Sequence, residues 1–107
     1  MTPSQANAVG SADSHLNYSN FTRLGLIDQL EYQEFTAENA TFAVDYVGAD
    51  WMAQAAGSAA SYLEYSSFSC GSLTDQLEYE KFTAAQAAFG AQSTGICYLS
   101  TGISSDL

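Results

Sequence analysis

Asp28 and Glu31, and again Asp75 and Glu78, stand three residues apart. That spacing sets two carboxylates on one face of a helix, where they could serve as general acid and base or as ligands to a hard cation. No Asx-Gly calcium loop accompanies either pair, so no metal site is expected and the acids read as wet surface. The one histidine, His15, has no nucleophile or second base at motif spacing, and Tyr62 takes its place in a second copy of the surrounding residues. A histidine that exchanges with tyrosine reads as a half-buried amphipathic ring and not as a base. Cys70 and Cys97 are the only cysteines and show neither zinc spacing nor a CxxC motif. Because Cys97 lies in a tail without periodicity, free thiols are expected ahead of a disulfide. No catalytic residue, metal or cofactor is expected, and the chain reads as non-enzymatic.

Charge is the unusual property. Twelve Asp plus Glu face only Arg23 and Lys81, giving a net charge of −10. Residues 1–49 hold six acids and Arg23, residues 50–107 six acids and Lys81, so each half carries −5. Such a field repels phosphate backbones and anionic membranes and favours cationic partners. No stretch approaches the roughly 20 apolar residues of a membrane span. The start, MTPSQANAVG, lacks the basic and apolar regions of a secretion signal and a lipid-accepting cysteine, so neither signal peptide nor lipid anchor is expected in this chain.

The elements that would position these side chains emerge from self-comparison. Sliding the chain by 47 places residues 11–42 on 58–89 with 18 of 32 positions identical, including Asp28-Gln29-Leu30-Glu31-Tyr32 on Asp75-Gln76-Leu77-Glu78-Tyr79. Each copy reads as three helices. Thr2-Pro3-Ser4-Gln5 supplies a cap, a first-turn proline and a glutamine three after the cap; Asp50 precedes the counterpart. Val9, Ala12 and Leu16, then Met52, Ala55, Ala59 and Leu63, recur at helical spacing as a core-facing stripe. Thr22 and Ser69 cap the second helices, whose inner faces carry Leu26, Ile27 and Leu30, or Leu73 and Leu77. Thr36 and Thr83 cap the third. The aromatics repeated in both copies, Tyr18/Tyr65, Phe21/Phe68, Tyr32/Tyr79, Phe35/Phe82 and Phe42/Phe89, are expected to fill the cores. The fold class is therefore all-α: two tandem three-helix repeats, helix-turn-helix-like, with six short helices. Repeat units are expected at 1–49 and 50–95, with an irregular tail at 96–107. With about 45 alanine-rich residues each, neither unit is expected to be stable alone.

The segments YLEYSSFS, LIDQLEY, FTAENATFAVD and ADWMAQAAGSAASYLEY resemble the repeat of the host cell surface-exposed (Ltp) lipoproteins, over about residues 4–92. The resemblance implies a lipid-anchored surface protein of Gram-positive cells or their phages, and for phage members a role in superinfection exclusion, blocking DNA injection by a second phage. The chain departs from the pattern in places. The family's basic first-helix positions are Asp13, Gly57 and Ala60 here, and its arginine after the Phe-Ser step is kept as Arg23 but becomes Cys70. Its turn glycine becomes Glu34 and Lys81, a change worth about 1 kcal/mol at a left-handed position, so an altered turn is expected. The end of the second copy drifts from the pattern, which leaves its last helix in question.

Charge and resemblance together lead to a binding module for a cationic protein, such as a phage injection component, with Glu31, Glu34, Glu38, Asp75, Glu78 and Glu80 around the second turns as contact candidates. The resemblance implies the cell surface; without an anchor the location would be cytoplasmic. A structural or decayed surface domain is the competing reading. Nucleic-acid binding is not expected, because the would-be reading helices open with Ala37-Glu38-Asn39 and Ala84-Ala85-Gln86 in a strongly acidic chain.

Overall fold

The computed structural model describes residues 1–97. Among them are six helices and no strand: α1 (Pro3–Tyr18), α2 (Arg23–Tyr32), α3 (Ala37–Val47), α4 (Trp51–Tyr65), α5 (Cys70–Tyr79) and α6 (Ala84–Ser93). The chain divides into a first unit, Met1–Trp51, and a second that begins at Met52. The tail expected over 96–107 is described only at Ile96 and Cys97, which pack against the second unit's core; the rest of that expectation lies outside the described residues.

Hydroxyl side chains start the helices where the sequence places them. Thr2, Thr22, Thr36, Ser69 and Thr83 each accept a hydrogen bond from the backbone N–H three residues on, and at Thr2 and Thr83 a glutamine answers the cap's own N–H. The last helix of the second copy is formed, contrary to the drift of its sequence, because the Thr83 capping box nucleates it locally. The third helices run out into left-handed glycines at equivalent positions, Gly48 (φ 60°) and Gly95 (φ 86°).

In the first unit α1 packs on α2 and α3, and α2 on α3. Ala8, Ala12, Leu26, Leu30, Ala40, Ala43 and Val44 are fully buried, with Phe21, Phe35 and Trp51 half-buried against them. In the second unit Ala55, Ala59, Leu73, Leu77, Ala87 and Ala91 are fully buried around Phe82. The second helices thus bury the leucines expected of them. Met52 is exposed and not on the inner stripe, and Val9 and Leu16 are only half-buried, since small alanines occupy the helix contacts instead.

The expectation that all repeated aromatics are core is wrong for the tyrosines. Tyr18, Tyr32, Tyr65 and Tyr79 are 92%, 84%, 87% and 82% exposed. Each is the last residue of its helix, where the rising cylinder has already left the core. Phe21, Phe35, Phe68 and Phe82 do pack on the cores. Phe42 is half-buried and stacks on Tyr46, while Phe89 is largely exposed.

Candidate functional site

The acids expected to make contact surround the turn that ends the second helix, so the construction of that turn comes first. In the first unit the Glu34 N–H donates to the Glu31 carbonyl (2.8 Å) and the Phe35 N–H to the Leu30 carbonyl (3.1 Å). In the second, Lys81 donates to Glu78 (2.9 Å) and Phe82 to Leu77 (3.2 Å). This is a Schellman motif in both copies, with the expected apolar partner, Phe35 on the core of Leu30 and Phe82 on that of Leu77. The left-handed residue is Glu34 (φ 74°) or Lys81 (φ 82°). The turn is therefore not altered, as the loss of glycine suggested; it keeps its geometry and carries strain of about 1 kcal/mol at each site, held by two backbone bonds and a phenylalanine packed on the core, half-buried at Phe35 and buried at Phe82.

Around this turn Glu31, Glu34 and Glu38 are exposed in the first unit, at the end of α2, in the turn and in the first turn of α3. Asp75 and Glu78 are exposed along α5. Glu80, the residue that closes α5, is half-buried, and burial pushes its carboxyl above the usual glutamate range. It is the least accessible of the six. Asp28 and Asp75, equivalent in the repeat, are both exposed, as are Glu31 and Glu78.

Of the two cations, Arg23 is already engaged. Its Nε and Nη2 donate to the two carboxylate oxygens of Asp45 at 2.8 and 3.0 Å, tying the start of α2 to the end of α3. The shared hydrogen bonds hold Asp45 below the usual aspartate range and raise Arg23 further. At the equivalent of Arg23, Cys70 makes a disulfide to Cys97, with Cα atoms 4.9 Å apart. This corrects the expectation of free thiols: the segment after α6 turns back onto the core, bringing Cys97 to the start of α5, a closeness that spacing alone does not reveal.

The ring of His15 packs edge-on against Phe21 at 5.8 Å, and Tyr62 meets Phe68 in the same way at 5.7 Å. His15 Nε2 also lies 3.2 Å from Gln33 Oε1, which accepts a bond from Ser11. Tyr62 instead accepts from the Gln76 amide. Both rings hold the first helix of a unit to the second. Among the described residues no three His, Cys, Asp or Glu side chains gather as a metal ion would require, and no helix is long and apolar enough to cross a membrane.

Sequence reasoning missed the exposed tyrosines, although their position at the last residue of each helix was a readable signal. It also missed Cys70 and Cys97 as a pair. The family profile described as host cell surface-exposed lipoprotein matches the chain twice, over residues 4–47 and 50–93. No curated protein and no solved structure matches it.

Proposed function

The chain belongs to the host cell surface-exposed lipoprotein family, and from that premise we propose that it is a non-enzymatic binding module for a cationic protein at the cell surface. In a phage setting that partner is an injection component of an incoming phage, and the outcome is superinfection exclusion. The observation that carries this reading is the excess of acid along the whole chain: residues 1–49 and 50–107 each carry −5, and Arg23 is consumed by Asp45. A disulfide in the second unit supports an oxidising exterior in preference to the cytoplasm.

Charge of this kind speeds encounter more than it deepens affinity, and it fades as the Debye length shrinks from about 10 Å at 0.1 M salt to about 3 Å at 1 M. The test is a pull-down from phage-infected and uninfected host lysates at low and high salt. It is run with the native chain and with Glu31, Glu34, Glu38, Glu78 and Glu80 changed to Gln and Asp75 to Asn. Salt-sensitive capture of an injection protein that disappears in the neutralised chain is the expected result. Absence of a partner at low salt, or capture indifferent to all six substitutions, overturns the reading in favour of a structural surface domain.

A further inference from the structure

The bond between Cys70 and Cys97 stands where the first unit uses two non-covalent devices. In the repeat frame Arg23 falls on Cys70, Asp45 on Gln92, Gly48 on Gly95 and Asp50 on Cys97. Cys70 and an exposed Gln92 cannot form the ion pair that ties α2 to α3. In the first unit the chain leaving α3 through Gly48 reaches Trp51, which packs on the core and is held there as the first residue of α4. In the second, the chain leaving α6 through Gly95 reaches Ile96 and Cys97, which also pack on the core and are tied to the head of α5 by the sulfur bridge.

We propose that the Cys70–Cys97 bond is a redox switch: the second unit is closed while the two sulfurs are joined and opens when a thiol separates them. This half of the chain is then folded only in oxidising surroundings, whatever the chain binds.

The state of the unit turns on this bond because little else is in reserve. In a unit this small, apolar burial and the entropy of ordering the chain nearly cancel. The core is also thin, with Thr74, Gly90 and Ala91 where the first unit has Ile27, Ala43 and Val44. A crosslink over a sequence separation of 27 raises the folded-to-unfolded ratio on the order of a few hundredfold on the chain-entropy model. Losing a factor of that size commonly abolishes the fold of a small domain.

The bond is also placed for reversal. Both cysteines are half-buried, so a thiolate in solution reaches the bridge. Cys70 is the first residue of α5, where the N–H groups of the opening turn stabilise a negative sulfur and make it the better leaving group. A glutathione thiolate attacks Cys97 Sγ; a mixed disulfide forms there, the Cys97–Cys70 bond breaks, and its electron pair leaves on Cys70. A second glutathione thiolate attacks the glutathione sulfur of the mixed disulfide and releases Cys97 as thiolate. The protein gains two electrons and two protons, and two glutathiones become one oxidised glutathione. An excess of oxidised glutathione runs the same steps backwards.

The test holds the full chain in buffers of varied reduced-to-oxidised glutathione ratio, without denaturant. Free thiols are counted by alkylation and mass, and amide hydrogen exchange is read on α5–α6, with the cysteine-free first unit as internal reference. As reduced glutathione comes into excess, thiols should appear, protection of α5–α6 should fall roughly a hundredfold or more in step with them, and oxidised glutathione should restore both. Cys70→Ser with Cys97→Ser should be open at every ratio. A bond that persists in excess reduced glutathione is a permanent staple, and that result overturns the proposal. So does a reduced chain or double variant whose α5–α6 protection stays within about tenfold of the oxidised chain, or an equal loss in α2–α3. The cationic-partner reading stands or falls separately, on capture by the oxidised chain.

Discussion

The two units are copies of one design that have settled on different means of closing the same helices. Where the first unit buries Ile27 and Val44, the second has half-buried Thr74 and fully buried Ala91, so its core holds less apolar volume. Ala43 gives way to Gly90, whose added Cβ would lie 2.8 Å from the Ala55 carbonyl oxygen, so α6 comes close to α4 there. The clamp on the second helix also differs, an exposed Arg23–Asp45 ion pair in one unit and the Cys70–Cys97 disulfide in the other. A bidentate surface pair contributes a few tenths of a kcal/mol. A crosslink with a sequence separation of 27 stabilises by about 3–4 kcal/mol on the chain-entropy model. A unit of this size with a thinner core can thus hold its fold by covalent constraint, as small domains outside the cell commonly do.

Reducing the disulfide should have the largest effect and should fall on the second unit alone. Removing it by reductant, or by Cys70→Ser with Cys97→Ser, should cost the second unit about 3 kcal/mol and leave the first unchanged. Hydrogen exchange read separately on α2–α3 and α5–α6 would show it, and equal loss in both units would contradict it. Next in size, Gly90→Ala should destabilise the second unit by about 1–3 kcal/mol through the clash with Ala55. The reverse exchange, Ala43→Gly, should cost the first unit about 1 kcal/mol in helix propensity and about 0.8 kcal/mol more for the buried methyl it removes. Denaturant melts of the two variants compare them directly.

Relief of turn strain should act on both units alike. Glu34→Gly and Lys81→Gly each place the residue suited to a positive φ, and each should stabilise by up to about 1 kcal/mol. A drop in the melting midpoint of either variant would show that the side chain itself has a role in the turn.

Acid separates the units by sign. Glu80 is raised by burial, so its neutral form is the one the fold favours; as pH falls from neutral through its raised value, the second unit gains stability, fully present below the ordinary glutamate range. Asp45 is lowered by Arg23, so its contribution holds above the ordinary aspartate range and is lost as pH falls through its depressed value. Exchange protection measured across the acid range should therefore rise in α5–α6 before it falls in α2–α3, and Glu80→Gln should abolish the rise.

What the chain made legible were its local features. Caps at Thr2, Thr22, Thr36, Ser69 and Thr83 act within three residues, and the inward leucines follow from periodicity alone. The left-handed turn was harder to read, because Glu34 and Lys81 argue against the φ they adopt; two backbone bonds and a ring packed on the core outweigh the side-chain preference. Tyrosine is amphipathic, so repetition of Tyr32 and Tyr79 is compatible with core or surface, and only their place at the helix ends decides. Cys97 pairs with Cys70 through the course of the chain after α6, which no periodicity records. Of the contact candidates, the exposure of Glu31 and Glu78 follows from the helix wheel, whereas the partial burial of Glu80 depends on packing that the sequence does not display.

The disulfide also decides how the second unit would carry mechanical load. A pull arriving through the residues beyond Cys97 passes across the sulfur bridge to Cys70 at the head of α5. The intervening chain, which includes nearly all of α5, the strained turn at Lys81 and the whole of α6, is bypassed and bears no tension. Its counterpart in the first unit has only an ion pair at that place, and a pull on α3 would be resisted there by contacts that water can replace.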